Sequence, residues 1–122
     1  MKLGKVLLPL FAFALGVSVM LNRPLHVQPV LASYLSLATL AGMDSVFGGI
    51  RAGLDGRFKN DIFLSGFVVN MLLAVALAFL GDQIGVTDLY LAAVVTLGGR
   101  IFLNLSVIRR QLLERRLVRD QK

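Results

Sequence analysis

The stretch IFLSGFVVNMLLAVALAFL, residues 62–80, runs for nineteen positions without a charged side chain. Its apolar residues are continuous rather than alternating, which excludes a strand with one wet face. About 20 predominantly apolar residues are what one helix needs to cross the hydrocarbon core of a bilayer. Within that core only helices and closed barrels satisfy their own backbone groups. Residues 62–80 therefore read as a membrane-spanning helix, and this decides how the remainder is read. Three further apolar runs flank it, at residues 6–21, 30–50 and 89–108. The first is the shortest and needs Leu3 to Lys5 to complete a span, with Lys5 reaching back to the headgroups.

Composition agrees. Of 122 residues 57% are hydrophobic and only 16% charged, with a mean hydropathy of +0.78, so too few charges remain to cover a water-facing surface. The expected fold is all-α: one integral membrane bundle of four transmembrane helices, at about residues 3–21, 30–50, 62–80 and 89–108. A basic amphipathic tail, residues 109–122, follows the domain of residues 1–108.

The charges are lopsided. Lys2, Lys5, Arg51, Arg57, Lys59, Arg109, Arg110, Arg115, Arg116, Arg119 and Lys122 fall on one side of four crossings. Arg23 alone falls on the other, and Arg100 lies inside the fourth run. That asymmetry predicts a bacterial cytoplasmic-membrane protein with both termini in the cytosol. Lys2 and Lys5 before an apolar core also resemble the start of a cleavable signal. Only Val19-Met20-Leu21-Asn22-Arg23-Pro24 follows, with no Ala-x-Ala-like site, so a retained first helix is favoured.

Short connectors predict an up-down arrangement. Pro24 and Pro29 separate the first two helices. Gly53, Asp55-Gly56 and Asn60-Asp61 mark the second link, with Asp61 expected to cap the third helix. Gly81, Gly85 and Thr87-Asp88 mark the third. In the tail Leu112, Leu113, Leu117 and Val118 share a side, while Arg109, Arg110, Arg115, Arg116 and Arg119 supply charge. Two uses fit: a helix 4 extension held at anionic headgroups, or a docking helix for a cytoplasmic partner. The same basic residues cap apolar segments, so lipid rather than nucleic acid is the expected anionic partner. Membrane-protein partners or a homo-oligomer are expected besides.

Charges at bilayer depth are costly and call for partners. Asp44 lies seven residues before Arg51, Asn70 nine after Asp61, and Arg100 nine before Arg109. At 1.5 Å per residue all three sit about 10 to 14 Å from the cytoplasmic boundary. Asn104 lies slightly nearer it. Asp44 is expected to pair with Arg100, with Asn70 and Asn104 satisfying the remaining donors. Small residues suit close helix contact: Gly66, Ala74 and Ala78 beside Asn70, and Ala41, Ser45, Gly48, Gly49 and Ala52 beside Asp44. Thr96, Gly98 and Gly99 accompany Arg100 in the same way. Such a cluster could fix helix register, carry a proton or solute, or face another membrane protein. Buried ion pairs give doubtful net stability, so a register role is itself a hypothesis.

Catalytic motifs do not emerge. There is no cysteine, and the single histidine, His26, stands between Pro24 and Pro29 in a connector. No HExxH, GxSxG or P-loop is present. The expectation is a non-enzyme without cofactor or metal.

Several ordered motifs resemble the small basic protein family. They are Tyr34-Leu35-Ser36, Met43-Asp44-Ser45-Val46-Phe47-Gly48-Gly49-Ile50-Arg51-Ala52, Ser65-Gly66-Phe67 with Asn70, and Ala76-Leu77-Ala78-Phe79-Leu80-Gly81. Asp88-Leu89-Tyr90-Leu91-Ala92, Arg100-Ile101-Phe102-Leu103-Asn104 and Val107-Ile108-Arg109-Arg110 complete the match, about two-thirds of the chain. The resemblance implies a multi-pass bacterial membrane protein of unknown function, encoded near division and cell-wall genes, hence an envelope role. It brings no catalytic residues. An interaction protein is the leading expectation, and a small transporter or channel subunit the alternative.

Overall fold

A computed structural model describes residues 4–23 and 26–121. Lys2, Leu3, Pro24 and Lys122 lie outside the described residues, as does the side chain of Lys5. Four helices follow in order: α1 Gly4–Asn22, α2 Pro29–Leu54, α3 Asn60–Ile84 and α4 Asp88–Asp120. Among the described residues, α2, α3 and α4 are long and apolar enough to cross a membrane.

Each boundary has a local cause. Pro29 opens α2 at a first-turn position, where its missing N–H costs nothing. Both helix exits turn on a glycine with positive φ: Gly56 at 72° and Gly85 at 74°. In each case an N–H just beyond the glycine returns to the last turn, Arg57 to Ala52 O at 2.9 Å and Val86 to Gly81 O at 2.8 Å. A β-carbon at Gly81 would lie 2.8 Å from Val86 O, so this turn excludes larger residues at both of its glycines. The start of α3 differs from expectation. Asp61 does not cap it; the helix begins at Asn60, and Asp61 sits inside the first turn, where its charge still favours the N-terminal dipole.

The element lengths also differ from the apolar runs. Helices α2 and α3 extend beyond residues 30–50 and 62–80 because backbone bonding continues into their polar flanks. Residues 109–120 are the last turns of α4, which runs unbroken for 33 residues.

Packing centres on α2, against which α3 and α4 both lie, while α1 touches α2 sparsely. The core is small-residue: Leu37, Ala41, Ala74, Ala78 and Ala93, flanked by Tyr34, Met71, Tyr90, Val94 and Leu97. Alanines let backbones approach closely. Gly49 shows the same, since an added β-carbon would fall 2.7 Å from the Phe63 ring. Gly98 and Gly99 do not: nothing lies within 4 Å of a β-carbon on either, so the expected close contact there is absent. Large apolar side chains face outward, among them Leu8, Phe11, Leu72, Leu73, Val95, Phe102 and Leu103.

Candidate functional site

The face of α2 that meets α4 carries Asp44 and Arg51, and Asp55 follows at the C-cap, at spacings of seven and four residues. Such spacing returns a helix to nearly the same side. Asp44 is 1% exposed, and its Oδ2 lies 3.0 Å from Arg100 Nη2. Neither carboxylate oxygen meets a donor with hydrogen-bond geometry, so the contact is ionic rather than a directed bond. The Arg100 side chain is 56% exposed, which leaves the cationic half of the pair on the surface.

The two asparagines go elsewhere. Asn70 Nδ2 donates to Ser45 Oγ at 3.0 Å, joining α3 to α2. Asn104 Oδ1 accepts from Arg51 Nη1 at 3.3 Å, joining α4 to α2. Neither completes the Asp44–Arg100 pair, which corrects the expected arrangement. The reason is rotation. Ser45 is about 100° around the helix from Asp44, so it meets α3 while Asp44 meets α4. Asn104 lies one turn beyond Arg100, level with Arg51.

One further step along the same face, Asp55 Oδ1 accepts from Gln111 Nε2 at 2.6 Å, and Arg57 Nη2 donates to Oδ2 at 2.8 Å. These bonds hold the Asp55 carboxyl below its ordinary range, Arg57 contributing most and Gln111 next. Arg115 donates to the Leu54 carbonyl, fastening the α4 extension to the end of α2. Of the five tail arginines singled out from sequence, Arg115 is thus used inside the molecule. Arg110 pairs with Glu114 at 3.0 Å one turn on. Arg109, Arg116 and Arg119 are exposed and make no ion pair among the described residues.

At the opposite end Tyr34 donates to Asp82, and Ser36 and Tyr90 hydroxyls meet at 3.0 Å. Composition and spacing do not indicate these ties, nor the hydrogen bonds of Ser45, Arg51, Asp55 and Gln111. The recurrence of Asp44, Arg51 and Asp55 on one side of α2 was the available signal. His26 is exposed in the α1–α2 connector. Among the described residues no three His, Asp or Glu side chains group as metal ligands would.

A groove of about 440 Å³ opens beside this ladder, lined by Gly48, Arg51, Ala52, Asp55, Arg57, Arg100, Leu103 and Asn104. A smaller crevice of about 220 Å³ includes Asp44, Ser45, Gly49, Asn70 and Arg100 in its walls.

Membrane-length helices, an apolar exterior and a charged ladder between α2 and α4 define the class: a small all-helical protein with three helices, among the described residues, long and apolar enough to cross a membrane. Within it, residues 27–113 match the family described as "Protein of unknown function (DUF1290)", and the chain belongs to that family. It is 47% identical over 106 residues to the "Small basic protein" of Bacillus subtilis (strain 168), covering 87% of each chain. It is 43% identical over 102 residues to an uncharacterized protein of Mycobacterium tuberculosis (strain ATCC 25618 / H37Rv), covering 81% of this chain and 84% of that one. An uncharacterized protein of Mycobacterium bovis (strain ATCC BAA-935 / AF2122/97) is similar to the same degree. No solved structure matches the chain.

Proposed function

We propose that this is a four-span, non-enzymatic protein of the bacterial cytoplasmic membrane that displays a rigid basic helix to envelope or division partners in the cytosol. The observation that carries the reading is the length of α4. Thirty-three residues extend about 50 Å, whereas the hydrocarbon core is about 30 Å thick. Roughly the last three turns must therefore stand beyond the core. They carry Arg109, Arg110, Arg115, Arg116 and Arg119, with Leu112, Leu113, Leu117 and Val118 exposed among them. Gln111 and Arg115 brace this segment against the end of α2, so it is presented in one direction. Eleven of thirteen basic residues on one side of four crossings support a cytosolic placement for both termini.

The chain has no cysteine, which makes the topology simple to test. Thr87→Cys should react with an impermeant maleimide in intact cells, and Arg119→Cys only after lysis. The reverse pattern overturns the orientation. Crosslinking from native membranes should then recover partners that are lost when Arg116 and Arg119 are both replaced by Gln.

A second reading is a transport subunit. Asp44 favours it, because its buried carboxylate borders a crevice and lacks a directed hydrogen bond. Flux across reconstituted vesicles that Asp44→Asn abolishes would select this reading.

A further inference from the structure

We propose that the groove between α2 and α4 is a binding site for one phosphate group of net negative charge, held by Arg51, Arg57 and Arg100. The inference rests on the membrane reading above for the source of that phosphate, but not for the site itself.

Three guanidiniums line one groove against a single lining carboxylate, Asp55. Asp55 is already engaged by Arg57 and Gln111. Asp44 engages Arg100 from behind, across the ion pair. That leaves Arg51, which is half-buried and forms no ion pair among the described residues. Its one hydrogen bond there runs to a neutral amide, Asn104. A guanidinium has five N–H donors in a fork that fits phosphate oxygens, and most of those on Arg51 remain uncommitted. Three like charges along one groove repel one another, and an added anion relieves that repulsion. Asp55 feels the Arg51 charge, but its oxygens are taken by Arg57 and Gln111, so three guanidiniums face one committed carboxylate in the groove.

The groove has the right dimensions and place. Its volume of about 440 Å³ is roughly fifteen times one water's share of the liquid, ample for a phosphate and part of its substituent. It extends from Arg100, at mid-helix in α4, to Arg57 in the α2–α3 connector, and Gly48 contributes no side chain to obstruct it. Basic pockets between spans on the cytoplasmic side are where acidic headgroups bind. A lipid phosphate and a soluble phosphate share the recognition chemistry, and experiment separates them.

The test uses the full chain, purified in a neutral detergent. Native mass spectrometry measures retention of phosphatidylglycerol, with phosphatidylcholine as the control lipid. Thermal melting is followed by circular dichroism with inorganic phosphate as the soluble probe. One phosphatidylglycerol should be retained per chain, and Arg51→Gln combined with Arg57→Gln should weaken retention about tenfold, as loss of charge-assisted contacts requires. Arg57→Gln alone should weaken it less. This variant guards against misfolding, because Arg57 is on an exposed connector with a side chain 77% accessible. Replacing Arg116 and Arg119 by Gln should leave retention unchanged. Displacement of the lipid by millimolar inorganic phosphate, with a raised melting temperature, assigns the site to a soluble phosphate; retention despite it assigns the lipid. Equal binding by the wild type and the Arg51/Arg57 variant overturns the proposal, as does loss of binding in the tail variant or no preference over phosphatidylcholine. Reversed maleimide labelling would sink the orientation while leaving these binding results intact.

Discussion

Removing Arg100 strands the Asp44 carboxylate, which is fully covered and has no directed hydrogen bond. Arg100→Ala should therefore cost about 2 kcal/mol, below the range for fully buried pairs because the guanidinium is itself partly exposed. Asp44→Asn should cost less, since Arg100 is on the surface and its long stem can turn the charge outward. Combining the two should be milder than Arg100→Ala alone, because no charge is then left buried. Melting in detergent reads all three, and strict additivity of the single losses would mean that the two groups are uncoupled. The pairing was legible in the sequence, as two opposite charges at one depth in neighbouring helices. The partners of Asn70 and Asn104 were not, because depth along a helix says nothing about which side of it a neighbour faces.

Among the elements, α2 and α3 meet closely at Gly49, whereas Gly98 and Gly99 of α4 face no neighbour. Gly49→Ala would drive a methyl group to 2.7 Å from the Phe63 ring, so it should destabilise by about 1 to 3 kcal/mol despite better helix propensity. Gly98→Ala and Gly99→Ala meet nothing within 4 Å and should be neutral or stabilising by up to about 1 kcal/mol. Matching losses at all three glycines would contradict the packing described. The latch between α2 and the α4 extension has its own signature. Because the Asp55 carboxyl is lowered, its contribution is complete above the ordinary carboxylate value and disappears as pH falls through the lowered one. Spin labels at Lys59→Cys and Val118→Cys should keep a fixed separation from neutral pH down to about pH 4 and spread only below it. Asp55→Asn should broaden the distribution at every pH.

For the whole molecule, the division of labour is uneven. Helices α2, α3 and α4 contain the core and the charged ladder, and α1 packs chiefly and sparsely on α2, with most of its described side chains exposed. A chain lacking residues 1–25 should keep a cooperative, helical melt in detergent, lowered by a few degrees. Loss of cooperativity would show α1 to be integral to the fold. The same exterior suits an apolar surround: Leu72, Leu73, Val95, Phe102 and Leu103 face outward at mid-helix.

The amino-acid order was enough to establish how many helices form, roughly where each lies and which charges share a level. Those properties belong to individual segments, since transfer of a side chain from water depends on its own chemistry and position. It also marked Asp44 and Arg100 as partners. Rotation of each helix about its axis was settled only by assembly: Ser45 toward α3, Arg51 toward Asn104, Gly49 against Phe63, Gly98 and Gly99 against nothing. Where all faces of a helix are apolar, hydrophobicity does not select the inward one. Steric fit and a few polar contacts make that choice, and these exist only once the helices are side by side.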